Sequence, residues 1–502
     1  MALVSAASGR LKKISFDSRV LVFPAIALAG IVSCFAPELL MIPLGIALFI
    51  YFWNHKAQLV LFLIIYTPFE ELVLKILPDN LYAPVRYMWE GLLFAMIGLM
   101  LFEKLVLARN WKKCVVDKLI LLFLAAWLLS GLINNIPLTS SLAHIKNLIR
   151  YIPIFYIIYN LKPNTQFLKK VLFAIMIIGV VQAAICIGQA IEGDLLVKLF
   201  RPAEITIGGQ LIRGADIQQG SYYTKFTGSF ARSNELGYYL AFAACFITAA
   251  YVKMGKPRIY LLALVPVVTA LILSSSRISW ISAFLGIGTI LLKDRHPLRI
   301  AYFVGPIILI ILSFAGSSVL DSDMLLEDFN IFDRFYYMFT PEYFDIVSSA
   351  GRLYAVLYVV PAVFFTNPIL GLGPGSFMYI SSQMSEDEIF SQADILGLES
   401  GALHYVHDIG YVALFAQVGL IGLIALAFIF IRLYRKTSDA IIASKDPLIQ
   451  AFLLGAAGSL IALAVQNLAS FNFMYRNQSL LIWTIGGLIA LLISSRPRTM
   501  SD

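Results

Sequence analysis

Arginine and histidine side chains beside long apolar runs are the residues of this chain best suited to chemistry. Arg277 stands in LILSSSRISWI, Arg150 in HIKNLIRYIPIFY, Arg232 in GSFARSNELGYYL and Arg352 in SSAGRLYAVLY. Arg86 is a fifth, in YAPVRYMWEGLLF. A guanidinium stays charged and forks onto phosphate oxygens, so a group of them in an apolar setting suits a membrane-embedded anion, with a lipid diphosphate the natural candidate. Taken singly, each arginine is more simply read as snorkelling to headgroups or pairing with a nearby carboxylate. His404 and His407 lie in LESGALHYVHDIGYVALF. Histidine is the usual general base near neutral pH and can take the proton of a sugar hydroxyl. The competing reading is an interfacial histidine that caps the following helix or bonds Asp408. The HxxH spacing can bring both rings to one metal, but no third ligand is evident, so neither metal nor cofactor is expected.

Helices across a bilayer must position these groups. The 502 residues are 60% hydrophobic and 14% charged, whereas a soluble chain is about a quarter charged. Apolar runs recur at about the 17–25 residues that cross a bilayer core, and backbone in lipid must bond to itself. The expected fold is an all-α integral membrane protein. Its candidate spans are 20–36, 39–53, 57–76, 86–102, 119–134, 147–160, 170–191, 234–252, 259–274, 278–292, 299–316, 409–432, 448–469 and 477–494. TPFEEL (67–72) interrupts the third. Basic residues such as Arg10, Lys12 and Lys13, Lys112 and Lys113, Lys169 and Lys170, Lys253 and Arg258, Lys293 and Arg295, Arg435 and Lys436, and Arg496 fall in the tails and alternate loops. They share the cytoplasmic side if there are about fourteen spans with both termini cytoplasmic. That topology puts Arg86, Arg150, Arg232, Arg277 and Arg352 near the outer face, where basic residues are not expected. It also explains the net charge of +8 without nucleic acid. Four scattered cysteines show neither a disulfide framework nor a zinc site. The basic N-terminus reads as a retained tail, not a signal peptide.

The resulting organisation is an N-terminal bundle (1–191), a Gly-rich polar external loop (192–233), central spans (234–316), a large external segment (317–408) and C-terminal spans (409–502). Within 317–408, the apolar stretch 353–366 would put later basic loops on the wrong side if it crossed. With Pro361 and NPILGLGPG (367–375) interrupting it, it reads as a re-entrant or interfacial helix. Asp321, Asp323, Glu327, Asp328, Glu386, Asp387, Glu388 and Asp394 read as a solvated face. No internal repeat is visible, which counts against a transporter built of two related halves.

Four pieces, in order, resemble the O-antigen ligase and O-antigen polymerase family of bacterial envelope glycan assembly. They are TGSFARSNELGYYLAF (227–242), SSSRISWISAFLGIG (274–288), GRLYAVLYVVPAVFFTNPILGLGPGSF (351–377) and HDIGYVALFAQVGLIGL (407–423). The likeness covers roughly the second half; YAPVRYMWEGLLF is a weaker echo in the first. The family often has His-Asn where this chain has His407-Asp408, with His404 three residues earlier; His407 is favoured because it abuts the span.

The resemblance implies a metal-independent, inverting glycosyltransferase of the bacterial inner membrane. Its donor is a glycan on undecaprenyl diphosphate, transferred to an acceptor hydroxyl at the outer face. Arg277 and Arg232, supported by Arg150 and Arg352, would hold the leaving diphosphate, with Asn234 and Asp408 among the binding residues. His407, or His404 in its place, would be the base. Polymerisation of polysaccharide repeat units is favoured slightly, because ligases of the family commonly have fewer spans than about fourteen. The alternatives are ligation of the finished chain to lipid A core or protein and, in a different class, a lipid-linked-glycan flippase. A chain-length regulator is an expected partner of a polymerase.

Overall fold

The computed structural model describes residues 41–106, 113–162, 164–200, 205–207, 210–213, 226–255, 258–297, 302, 341, 352–375 and 409–494. The helices are α1 (Met41–Asn54), α2 (Lys56–Tyr66), α3 (Glu70–Ile76), α4 (Asp79–Val106), α5 (Asp117–Ile133), α6 (Leu138–Ile149), α7 (Ile152–Tyr159), α8 (Thr165–Glu192) and α9 (Asp194–Phe200). After a hairpin come α10 (Ser233–Lys253), α11 (Arg258–Leu273), α12 (Arg277–Lys293), α13 (Arg352–Thr366), α14 (Gly410–Ala443), α15 (Pro447–Gln466) and α16 (Arg476–Ser494). Five of them, α8, α10, α14, α15 and α16, are long and apolar enough to cross a membrane. The chain is an α-helical membrane protein.

The expected count of about fourteen spans is not reached among the described residues. Span 20–36 lies outside them, as does 299–316 apart from residue 302. A 3-10 turn at Thr67–Phe69, containing Pro68, divides 57–76, and Arg150 and Tyr151 divide 147–160 between α6 and α7. Helices α1, α11 and α12 have 14, 16 and 17 residues. Even the longest of these rises only about 25 Å, against a bilayer core of about 30 Å. One short hairpin accompanies the helices. Strands Ile205–Ile207 and Gln210–Arg213 pair antiparallel within the 192–233 segment, with Ile205 opposite Arg213. Isoleucine and threonine favour extended backbone there.

Helix α10 is the centre of the bundle, with nearly every residue from Glu235 to Val252 buried. Small residues let its neighbours come close. A Cβ on Gly286 of α12 would stand 2.9 Å from the Gly458 carbonyl of α15, and one on Gly458 would stand 2.8 Å from the Gly286 carbonyl. Backbones in contact are how membrane helices gain dispersion energy when burial from water is not available. Asn164 caps α8 by accepting from Gln166 N and Phe167 N, and Asp446 caps α15 likewise from Leu448 N and Ile449 N.

Helix α14 is broken at Gly419, whose φ of 62° and ψ of −164° belong to a region open only to glycine. The backbone groups released there are satisfied by the 367–375 turn. Leu420 N donates to Pro368 O at 2.9 Å, Ile421 N to Ile369 O at 3.3 Å, and Leu372 N to Ala416 O at 2.7 Å. The Ser130 hydroxyl donates to Gln417 O at 2.7 Å. Irregular backbone within an apolar bundle needs such partners. Helix α13 leads into the turn, packing Ala355, Val359 and Val363 against Ile409, Val412, Phe415 and Ala416. Gly419→Ala would set a Cβ against Ile369 O and 2.5 Å from Leu370 N. It should cost about 1–3 kcal/mol in backbone strain alone and expel the turn. Faster maleimide labelling of a Leu372→Cys probe, in a background without the native cysteines, would report this. Unchanged labelling and thermal midpoint would show that the break tolerates a side chain.

Candidate functional site

The segment TGSFAR (227–232) is held in place by two amides of α8. Gln189 exchanges hydrogen bonds with Gly228, its Oε1 accepting from Gly228 N and its Nε2 donating to Gly228 O, each at 2.9 Å. Gln182 Oε1 accepts from Ser229 N at 3.0 Å, and its Nε2 donates to the Ser229 hydroxyl at 2.6 Å. That hydroxyl donates in turn to Pro68 O at 2.6 Å. Buried amides within apolar helices are costly unless paired, so this pairing fixes the turn. It delivers Arg232, extended and exposed, to the start of α10, where its Nη1 donates to the Tyr475 hydroxyl at 3.5 Å. Asn234, half-buried, follows in the first turn of α10.

Arg277 opens α12 and is half-buried. The three serines before it make the turn that sets its position. Ser275 is left-handed, at φ 54°. The Ser274 hydroxyl and the Trp280 indole N–H both donate to Leu271 O at 2.7 Å. Ser276 and Ser279 share a hydroxyl hydrogen bond of 2.6 Å, and a Cβ on Gly237 would stand 2.5 Å from the Ser279 hydroxyl oxygen. The first turns of α10 and α12 therefore touch.

Two more helices begin at this end. Gln478 in α16 donates to Glu235 O in α10 at 2.9 Å. Gly410, first in α14, lies where a Cβ would stand 2.6 Å from Asn467 Oδ1 and 2.7 Å from Ser470 O. A run of side-chain amides joins these starts. Gln466 Nε2 donates to the Ser282 hydroxyl of α12 and Asn472 Nδ2 donates to Gln466 Oε1, both at 3.1 Å, while Asn467 Oδ1 accepts from Asn472 N at 3.2 Å. Helix starts carry unpaired N–H groups and partial positive charge, so their grouping with Arg232 and Arg277 favours an anion.

A second set of charges gathers around Arg476. Arg476, at the start of α16, donates from Nη1 to Glu70 Oε1 at 2.6 Å and from Nη2 to Glu90 Oε1 at 2.7 Å. It also donates to Arg86 O at 2.8 Å. Arg150 meets the same Glu90 oxygen at 3.3 Å and gives its remaining donors to Asn147 O and Asn147 Oδ1, both at 2.8 Å. Arg150 is thus tied to protein partners. The Arg86 guanidinium stacks on the Tyr82 ring and bonds its hydroxyl. Arg476, Glu70 and Glu90 stand outside the set that motif reading selects, although a signal for them exists. TPFEEL breaks one apolar run, Glu90 lies inside another and Arg476 borders a third.

Arg352 opens α13 and is half-buried. His404, His407 and Asp408 lie outside the described residues, which resume at Ile409, one residue before α14. Among the described residues, no three or more His, Cys, Asp or Glu side chains come together as metal ligands. Compared with models of known families and with curated proteins, the chain matches none.

Proposed function

We propose that this protein is a membrane glycosyltransferase that moves a glycan from a lipid diphosphate to an acceptor hydroxyl at the outer face of the bacterial inner membrane. The observation that carries the reading is the contact of the α10 and α12 starts through Gly237 and Ser279, with Arg232 just before the first, reaching Tyr475 beside α16, and Arg277 opening the second. Segment 376–408, with both histidines, connects Gly375 to Ile409, and both of these are seated on α14: Gly375 N donates to Gln417 Oε1 at 3.1 Å. In the proposed reaction the acceptor oxygen attacks the anomeric carbon as the bond from that carbon to the diphosphate oxygen breaks. His407 takes the hydroxyl proton. The diphosphate leaves with the bonding pair, its charge balanced by Arg277 and Arg232, with Arg352 as a further cation and Asn234 and Asp408 lining the site. Arg150 supports this end through Glu90 and Arg476. The preference for repeat-unit polymerisation that rested on the span count falls with that count, so polymerase and ligase are separated by product.

The test is the glycan profile of a deletion strain complemented with wild type, with no protein, or with His407→Ala. Without the protein, surface glycan limited to one repeat unit identifies a polymerase. Long chains on the lipid carrier, with none on the final acceptor, identify a ligase. His407→Ala is expected to restore neither. Full restoration would remove His407 as the base and move the reading to His404 or to a flippase. Arg232→Ala, exposed and sharing its load with Arg277, is expected to slow transfer about tenfold, equal to about 1.4 kcal/mol of barrier. An unchanged turnover number would take Arg232 out of the site.

A further inference from the structure

The break in α14 and the turn that fills it enclose a polar cluster that the proposed reaction does not use. His144 and Ser141 come from α6 and Gln417 from α14, and all three are at least nine-tenths buried. The turn reaches them through Gly375. A Cβ on Gly375 would collide with the His144 ring, standing 2.8 Å from Cε1, while Gly375 N donates to Gln417 Oε1 at 3.1 Å. A Cβ on Gly131 of α5 would stand 2.8 Å from the Ser141 hydroxyl oxygen and 3.5 Å from Pro374 Cδ, which places Ser141 beside the same turn. Asn134 Nδ2 holds the turn's far end by donating to Gly371 O at 3.0 Å.

Each of the three side chains keeps a buried polar atom with no hydrogen-bond partner among the described residues: His144 Nδ1, the Ser141 hydroxyl and Gln417 Nε2. One such atom costs about 1–3 kcal/mol, so all three call for partners that the described residues do not supply. Their chemistry says which kind. The amide nitrogen donates, the serine hydroxyl donates and accepts, and the imidazole nitrogen accepts when unprotonated. Helix α6 has 12 residues and is not among the helices long and apolar enough to cross a membrane. Burial there pushes the His144 imidazole down to about 4, so it is neutral at physiological pH. A neutral set of mixed donors and acceptors matches hydroxyl groups. An anion would want the guanidiniums found elsewhere, and a cation would want carboxylates.

We propose that Ser141, His144 and Gln417, roofed by the 371–375 turn, form a recognition site for the hydroxyls of a neutral sugar. The inference rests on the glycan-transfer reading and adds a sugar subsite on α6 and α14, separate from the arginines that face the diphosphate. Its glycine lets the backbone lie against the histidine ring, and its side chains position the sugar without taking part in bond making.

The test uses the purified full-length protein and two probes: bare undecaprenyl diphosphate and the lipid-linked glycan extracted from the deletion strain. Affinities come from ligand-dependent shifts of the thermal midpoint. Wild type should bind the glycan-bearing lipid more tightly than the bare carrier. Ser141→Ala and His144→Ala should lose that difference, about tenfold in affinity for one lost hydroxyl contact, and keep wild-type affinity for the bare carrier. Ser141→Ala removes an unpaired hydroxyl without taking a partner from any other group, so it serves if His144→Ala does not fold. Retention of the glycan preference by both folded variants would overturn the sugar site and leave the cluster to ordered water. Failure of wild type to bind either probe would instead count against the glycan-transfer reading itself.

Discussion

Arg476→Ala should be the most destabilising single substitution in the described part of this protein. Its guanidinium is 8% exposed and forks between Glu70 and Glu90, whose side chains are 3% and 4% exposed. Removing it strands two buried carboxylates that are 406 and 386 residues away in sequence. Breaking a buried ion pair by deleting one partner costs about 3–5 kcal/mol, chiefly the penalty of the charge left behind. Arg150 would offset part of this at Glu90 alone, since it reaches Oε1 at 3.3 Å and does not extend to Glu70. The measurement is the thermal midpoint in detergent together with the folded yield. Arg476→Lys should recover little, because an ammonium cannot fork onto two carboxylates. Adding Glu70→Gln alone to Arg476→Ala should recover much of the loss, since Glu90 then keeps Arg150 as its partner and no uncompensated carboxylate remains. A midpoint unchanged in Arg476→Ala would mean that water reaches the network.

Arg277→Ala should lower the rate of the proposed glycan transfer by about 10²–10³-fold, the usual effect of removing one preorganised donor from a developing negative charge. Stability should change little, because the Arg277 turn is held by other groups: the Ser274 hydroxyl, the Trp280 indole and the Ser276–Ser279 pair. Turnover and thermal midpoint, measured on the same preparation, therefore separate Arg277 from Arg476. Loss of rate with a retained midpoint is the expected pattern. Normal turnover in Arg277→Ala would end its assignment to the diphosphate. Arg277→Lys should fall between wild type and alanine, retaining the charge and losing the fork.

The two arginines also divide what the amino-acid sequence determines from what the tertiary structure decides. Composition and hydropathy are local and additive, and from them follow the helical membrane class and the position of most helices within a few residues. The apolar runs 170–191, 234–252, 448–469 and 477–494 correspond to α8, α10, α15 and α16. Alternation of basic loops likewise groups the starts that carry Arg232 and Arg277 at one end. The number of crossings does not follow from hydropathy, because Thr67–Phe69 and Arg150–Tyr151 divide apolar runs by backbone geometry that hydropathy does not record. Partnership is not local either. Gln182 and Gln189 read as two polar residues in an apolar helix until the 227–232 turn is laid against them. Gly419 reads as one more small residue in a span until the Ile369 carbonyl occupies the place of its side chain. Arg150 resembles Arg232 and Arg277 in sequence, yet Glu90 and Asn147 take its donors. A charge buried among helices acquires its role from whatever chain closure brings within about 3 Å of it, and that depends on how each helix is turned about its own axis as well as on which residues it contains.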